Sequence, residues 1–255
     1  MATSKIEWTD RTWNPVTGCS KISQGCAHCY AETMTRRLQG MGQSKYNNGF
    51  HVTLHPESLN EPGKIIEPST FFVCSMSDLF HREVPFQFID NVMVTIENLR
   101  QHTFQILTKR PQRMNEYFMI GKRDVPYNAW IGTTVEHPHY KWRIEELRDI
   151  ETDSVKFLSC EPLLEDLGEL DLTGIDWVIV GGESGNKARP MRKEWVLNIM
   201  RQCKTQEVPF FFKQWGTWGE DGVKRSKKAN GHTISGKVIQ ELPNISRSIG
   251  LKENH

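Results

Sequence analysis

Long apolar runs are missing from this 255-residue chain: no stretch approaches the roughly 20 apolar residues that a membrane-spanning helix needs. The segment Met1 to Asp10 is polar and lacks the apolar core of a secretion signal, so a cytoplasmic protein is expected. Charge of one sign is missing too. The formal net charge is +1, and the field of the whole molecule therefore points to no class of partner. There is no internal repeat and no low-complexity tract, which argues against solenoid and disordered architectures. Cysteine is sparse, with six residues, and in a chain this long without an export signal these do not read as a disulfide scaffold.

What is present is a rhythm. Short apolar runs recur at Phe71–Cys74, Phe104–Leu107, Trp130–Thr133, Val155–Leu158, Trp177–Val180 and Phe210–Phe212. They are nearly continuous rather than alternating, as strands buried on both faces are. Between them lie helix-period segments. Phe86–Arg100 carries Phe88, Ile89, Val92, Met93, Ile96 and Leu99 on one stripe, and Pro111–Phe118, His139–Leu147 and Lys193–Cys203 are shorter candidates. Alternating strand and helix implies right-handed βαβ units and a parallel sheet. With weaker strands at Thr12–Thr17 and His51–His55 the count reaches about eight. The expected fold is α/β, a full or nearly closed TIM-like (β/α) barrel over residues 1–216, with an open doubly wound sheet as the alternative. Residues 217–255 break the rhythm and read as an appended basic tail or lid. Lys224, Arg225, Lys227, Lys228, Lys237, Arg247 and Lys252 outnumber Glu220, Asp221, Glu241 and Glu253 there.

Three of the cysteines crowd together. Cys19, Cys26 and Cys29 have the spacing C-x6-C-x2-C, between a weak strand and a helix expected over Ala31–Leu38. That places them at the C-terminal end of the first barrel strand, where barrel active sites lie. Gly18 and Gly25 give the loop freedom to wrap a metal centre. Three thiolates are one short of the four that usually hold a four-iron cluster, which leaves one iron open to a ligand. A structural zinc site with His28 or a distant cysteine as fourth ligand is the alternative, and a nucleophilic or redox pair is a third reading.

A barrel with three cysteines after its first strand, ending in Cys26-x-x-Cys29 with Tyr30 beside it, resembles the radical S-adenosylmethionine superfamily. The common spacing there has a first gap of three; here it is six. The phrases around Cys19–Tyr30, Ser75–Phe80, Leu107–Pro111, Cys160–Pro162 and Gly181–Gly185 are also similar to an uncharacterised phage- and bacteria-associated three-cysteine family. The resemblance covers about residues 8–218. It implies a [4Fe-4S] cluster on Cys19, Cys26 and Cys29 with S-adenosyl-L-methionine on the open iron. An electron from a donor such as flavodoxin or ferredoxin would then generate a 5′-deoxyadenosyl radical that takes hydrogen from a substrate.

The polar residues that end the apolar runs supply the remaining candidates, since a barrel gathers them at one mouth. In order they are Asn14, His55, Ser75 and Asp78, then Thr108, Lys109 and Arg110, then Thr134 and Glu136, Cys160 and Glu161, Glu183 and Ser184, and Lys213 and Gln214. The expected cofactor contacts are His28, Tyr30, Ser75, Asp78, Thr108, Lys109, Gly181, Gly182, Glu183 and Ser184. In this set Lys109 balances a carboxylate or phosphate and Glu183 holds a ribose hydroxyl or an ammonium. Cys160 is the candidate hydrogen-atom donor, with a buried core position as the alternative and Cys74 as the other thiol considered, and Glu161 is the other catalytic candidate. The basic tail, Lys109, Arg110 and loose tryptophans point to DNA or a nucleotide as substrate, in repair or base modification. Two rival readings remain: a zinc-stabilised nucleic-acid-binding module without catalysis, and a barrel hydrolase or lyase using Glu161 and Glu183 as acid and base.

Overall fold

A computed structural model describes Ser4 and residues 6–243. In chain order its elements are β1 (Arg11–Trp13), β2 (Val16–Thr17), α1 (Tyr30–Gly40), β3 (Thr53–Leu54), β4 (Thr70–Val73), α2 (Phe86–Asn98), β5 (Thr103–Thr108), α3 (Pro111–Asn115), β6 (Ala129–Thr134), α4 (Trp142–Arg148), β7 (Lys156–Cys160), β8 (Trp177–Gly181), α5 (Lys193–Thr205), β9 (Phe210–Gln214), α6 (Lys227–Asn230), β10 (Thr233–Ile234) and β11 (Lys237–Val238). Seven strands form one sheet in the order β1-β4-β5-β6-β7-β8-β9, every pair parallel.

The near-continuous apolar runs are explained by two covered faces. Phe71, Val73, Phe104, Ile106, Ile131, Leu158, Val178, Val180 and Phe212 pack outward in one large core with the helices. The buried stripe of α2, Phe88, Ile89, Val92, Met93 and Ile96, belongs to that core. Residues of opposite parity, Phe72, Trp130, Phe157, Trp177, Ile179 and Phe211, form a second, inner core around Trp8. The Trp8 ring lies 4.8 Å from Phe72 on β4 and 6.3 Å from Trp177 on β8. One side chain can reach strands four places apart in a sheet only if the sheet curls round it, because neighbouring strands stand about 4.8 Å apart. The architecture is thus a curled parallel half-barrel with Trp8 plugging its floor.

The barrel does not close. Among the described residues β1 and β9 are the two ends of the sheet, and the expected eighth strand lies elsewhere. The His51–His55 segment supplies β3, which pairs antiparallel with β2 through Val16↔Leu54 and Thr17↔Thr53. Its backbone is drawn there by other bonds: His55 N donates to Pro15 O at 2.8 Å and Cys19 N to Phe50 O at 3.1 Å. The segment braces the cysteine loop instead of extending the sheet. The outer edge of β9 is covered by residues 239–241, with Phe212 N donating to Ile239 O and Glu241 N to Phe210 O. Lys227 also reaches back to Glu7 at 2.8 Å. Arg247, Lys252 and Glu253 of the expected basic tail lie outside the described residues. Among the described residues no helix is long and apolar enough to cross a membrane.

Burial lowers His55, His81 and His102 from their ordinary 6.5. A histidine held neutral in the fold favours folding fully only above its unfolded value. As pH falls through that value the unfolded chain takes up protons that the folded one refuses, and stability is lost. The melting temperature of the metal-free protein is therefore expected to fall between about pH 7.5 and about pH 5.5. A flat or rising melting temperature across that window contradicts this.

Candidate functional site

Parallel pairing sets the C-terminal ends of all seven strands on one rim. Below it opens a cavity of about 440 Å³. Its wall gathers Cys19, Cys26, His28, Cys29 and Tyr30 from the loop before α1, Ser75 and Asp78 after β4, and Thr108 and Lys109 at the end of β5. Glu161 after β7 and Gly182, Glu183 and Ser184 after β8 complete the expected residues found there.

The cysteine loop is held by residues other than its cysteines. Gly18 has φ +78°, and a Cβ there would stand 2.1 Å from the carbonyl oxygen of His51, so only glycine fits the turn into Cys19. Ser20 meets His81 Nε2 at 2.7 Å and accepts from Arg110 at its hydroxyl (3.0 Å) and carbonyl (3.1 Å). Ser23 donates to Glu136, and Gly25 lies against the same carboxylate, where a Cβ would come within 2.9 Å. Arg189 donates to Gln24 O at 3.0 Å. Four loops that follow four different strands thus grip eight residues.

Burial, reinforced by the Asp78 charge and opposed by Arg110, pushes the Cys19 thiol up to about 12. Such a thiol loses its proton to a metal rather than to water. All three thiols line one wall of the cavity, yet among the described residues no three His, Cys, Asp or Glu side chains converge as ligands of a single ion. Three soft thiols lining one cavity are donors of the kind that an iron–sulfur cluster takes.

Several expected roles change once the partners are known. Asp78 is buried and accepts from Thr108 Oγ1 at 2.7 Å, Phe80 N at 3.0 Å and Lys109 N at 3.1 Å, with Arg110 at 3.7 Å. Its carboxylate, together with Thr108, ties the loop after β4 to the loop after β5 and so positions Lys109 and Arg110. Glu183 is saturated in the same way. Arg189 donates to it three times, at 2.6–2.9 Å, and His28 Nδ1 lies 3.3 Å away. Burial raises its carboxyl, but the Arg189 and His28 bonds outweigh this and hold it below its ordinary value. It anchors the loop after β8 to the cysteine loop, and no lone pair remains directed at a ribose or an ammonium.

Cys160, expected at the mouth, is wholly buried in the outer core. On β7 the parity runs Ser159 inward, Cys160 outward, so the thiol faces the helices, and burial pushes it well above its ordinary value. It is a packing residue. Gly181 also lies off the cavity wall, and its use is spatial. A Cβ there would meet Glu161 Oε1 at 2.4 Å, and the missing side chain lets Glu161 reach across β8 to Lys213 of β9 at 3.0 Å. His55 is engaged by Thr17 at 2.8 Å, away from the cavity.

Arg189 and His81 gave no signal in the sequence, and Glu136 was visible only as one rim residue among many. Glu136 and Arg143 form a fully buried pair at 2.9 Å beneath the cysteine loop. Burial raises the Glu136 carboxyl, and the Lys109 and Arg143 charges and the Ser23 bond more than reverse it, leaving it below its usual range. Lys109 itself lines the cavity with no ion-pair partner among the described residues.

A half-barrel whose rim carries three clustered thiols defines the class. The family model described as "Protein of unknown function (DUF5131)" matches residues 3–243, and the chain belongs to that family. No curated protein matches its sequence. Among solved structures it is similar to spore photoproduct lyase complexed with dinucleoside spore photoproduct, at 11% identity and a TM-score of 0.49 over 79% of this chain and 62% of that one. Two mutants of spore photoproduct lyase give 12% identity and TM-scores of 0.48, over 89% and 71% of this chain and 72% and 58% of theirs. The chain spans about six tenths of the length of the complexed lyase and of one of the two mutants.

Proposed function

We propose that this protein is a radical S-adenosylmethionine enzyme in which Cys19, Cys26 and Cys29 hold a [4Fe-4S] cluster and S-adenosyl-L-methionine binds beside it in the cavity. One observation carries the reading: three thiols of one loop share a cavity wall with polar groups from the ends of the following strands. When bound, the cluster and S-adenosylmethionine supply one-electron cleavage of the sulfonium and, through it, hydrogen-atom abstraction.

The residues of the chain do the binding and orienting. Lys109, which forms no ion pair among the described residues, is placed to balance a carboxylate. Ser75 and Ser184 offer hydroxyls and Tyr30 an aromatic face, while Gly182 lines the wall with its N–H and C=O both bonded to Gln214. Asp78, Thr108, His28 and Glu183 act one step back by fixing those groups. Glu161 faces the substrate side. The substrate proposed is a nucleic acid or nucleotide, in DNA repair or base modification. Support comes from Lys227, which lines the cavity, and from Lys224 and Lys228, exposed near it in the chain. Reducing cytoplasm and a flavodoxin- or ferredoxin-type donor complete the proposal.

Anaerobic reconstitution with iron and sulfide, followed by assay for 5′-deoxyadenosine with and without DNA, tests it. The expected result is brown protein that forms the product in the presence of a strong reductant, faster with DNA. Colourless protein holding one zinc, or a loaded cluster without product, rejects it.

A further inference from the structure

The Glu161–Lys213 pair has no part in holding the cysteine loop, and the bonds that hold that loop do not account for a salt bridge over an apolar floor. The pair lies at 3.0 Å on the inner face of the sheet, over a floor formed by Trp8, Phe72 and Leu107. Both side chains are largely withdrawn from solvent, 14% and 19% exposed. An ion pair so placed costs desolvation that its own attraction barely repays, so stability alone does not explain it. The fold makes specific room for it at Gly181, where any side chain would collide with Glu161. Lys213 Nζ also stands 5.9 Å from the Trp8 ring.

The hydrogen-bond inventory shows what remains free. Glu161 accepts one bond from Lys213 and one from Ser159 Oγ at 3.2 Å, out of the roughly four a carboxylate can take. Lys213 spends one of about three donors. The pair therefore presents a spare acceptor next to a spare donor at the cavity wall. Beside it, buried Gln214 donates from Nε2 to Gly182 O at 2.8 Å, and its Oε1 has no partner among the described residues. A buried acceptor without a partner on a cavity wall is a place for a ligand donor.

We propose that Glu161, Lys213 and Gln214 form the substrate-reading subsite and that they read the lactam edge of a heterocyclic base: ring N–H to Glu161, adjacent C=O to Lys213, and a further donor, where the base has one, to Gln214. The flat ring would lie over the Trp8 floor, where aromatic contact is available to any base. The order of donor and acceptor gives the selectivity. A uracil- or hypoxanthine-type edge presents N–H next to C=O. A cytosine edge presents a ring nitrogen lone pair at the same place and would set acceptor against carboxylate. This inference rests on the nucleotide reading of the cavity but not on the cluster.

The test is equilibrium binding of uridine, 3-methyluridine and cytidine to the cluster-loaded protein and, in parallel, to the metal-free protein. Uridine is expected to bind at least about tenfold more tightly than 3-methyluridine, which lacks the N–H, and than cytidine, because a buried carboxylate left facing no donor is penalised. Glu161→Gln and Lys213→Met should each remove that preference while leaving the iron content of the reconstituted protein close to wild type; Lys213→Met, which strips Glu161 of its counter-charge, should lower the melting temperature and Glu161→Gln should lower it less. Equal affinity for the three nucleosides, no detectable binding at millimolar concentration, or a preference that survives both substitutions overturns the inference. A uridine preference in protein that forms no 5′-deoxyadenosine would retain this subsite and reject the radical chemistry. Product formation without the preference would do the reverse.

Discussion

Replacing Cys19, Cys26 and Cys29 together by alanine is expected to abolish iron and sulfide uptake and all S-adenosylmethionine cleavage, while the protein keeps its fold. The thiols are the soft donors of the cavity, and removing three anionic ligands removes the cluster outright. The loop should keep its course because its holding bonds come from elsewhere. Arg110 and His81 hold Ser20, Glu136 holds Ser23, Arg189 holds Gln24 O, and the backbone of Phe50 holds Cys19 N. The thiols themselves are only half-buried, so their truncation costs little packing. Iron content, the visible spectrum and a melting curve of the metal-free variant check both halves. Retention of S-adenosylmethionine cleavage, or of activity as an acid–base hydrolase using Glu161, would refute the assignment.

The second large effect is expected far from the thiols in sequence. Arg143→Leu should destabilise the protein by about 3–5 kcal/mol, because it leaves the fully buried Glu136 carboxylate without its counter-charge. The damage should reach the cysteine loop, since that carboxylate is the acceptor for Ser23 and the surface against which Gly25 packs. Chemical denaturation measures the first effect; the yield of cluster on reconstitution measures the second. The double change Glu136→Met with Arg143→Leu should recover most of the stability but not the cluster yield, because the buried charge is gone and Ser23 has lost its acceptor. Full recovery of both would show that Glu136 does nothing for the loop.

The strands of the sheet were readable as apolar runs, and their near-continuity correctly implied a sheet covered on both faces. That same continuity hid parity. In Lys156–Cys160 nothing in the residue types says that Ser159 looks inward and Cys160 outward, so the thiol was expected at the mouth and lies among the helices. The roles of Asp78 and Glu183 were hidden for another reason. A carboxylate at a strand end reads alike whether it awaits a ligand or is already held, and the groups that hold these two, Thr108 and the Lys109 backbone for one and Arg189 and His28 for the other, are met only in space. The eighth strand failed because a two-residue ladder pairs wherever its backbone finds partners, and Pro15 and the β2 strand offered them first.

The sequence by itself determined the local chemistry: three thiols within eleven residues, the order of strands and helices, and polar groups after each strand. These follow from spacing and periodicity, which are properties of a chain read along its length. Tertiary structure alone decided which of those groups are spent and which are free. It set Glu136 under the cysteine loop, closed Arg189 on Glu183, and opened the gap at Gly181 through which Glu161 meets Lys213. The reason is that hydrogen-bond capacity is limited and directional, so the availability of a side chain depends on neighbours that only the curl of the sheet brings within reach.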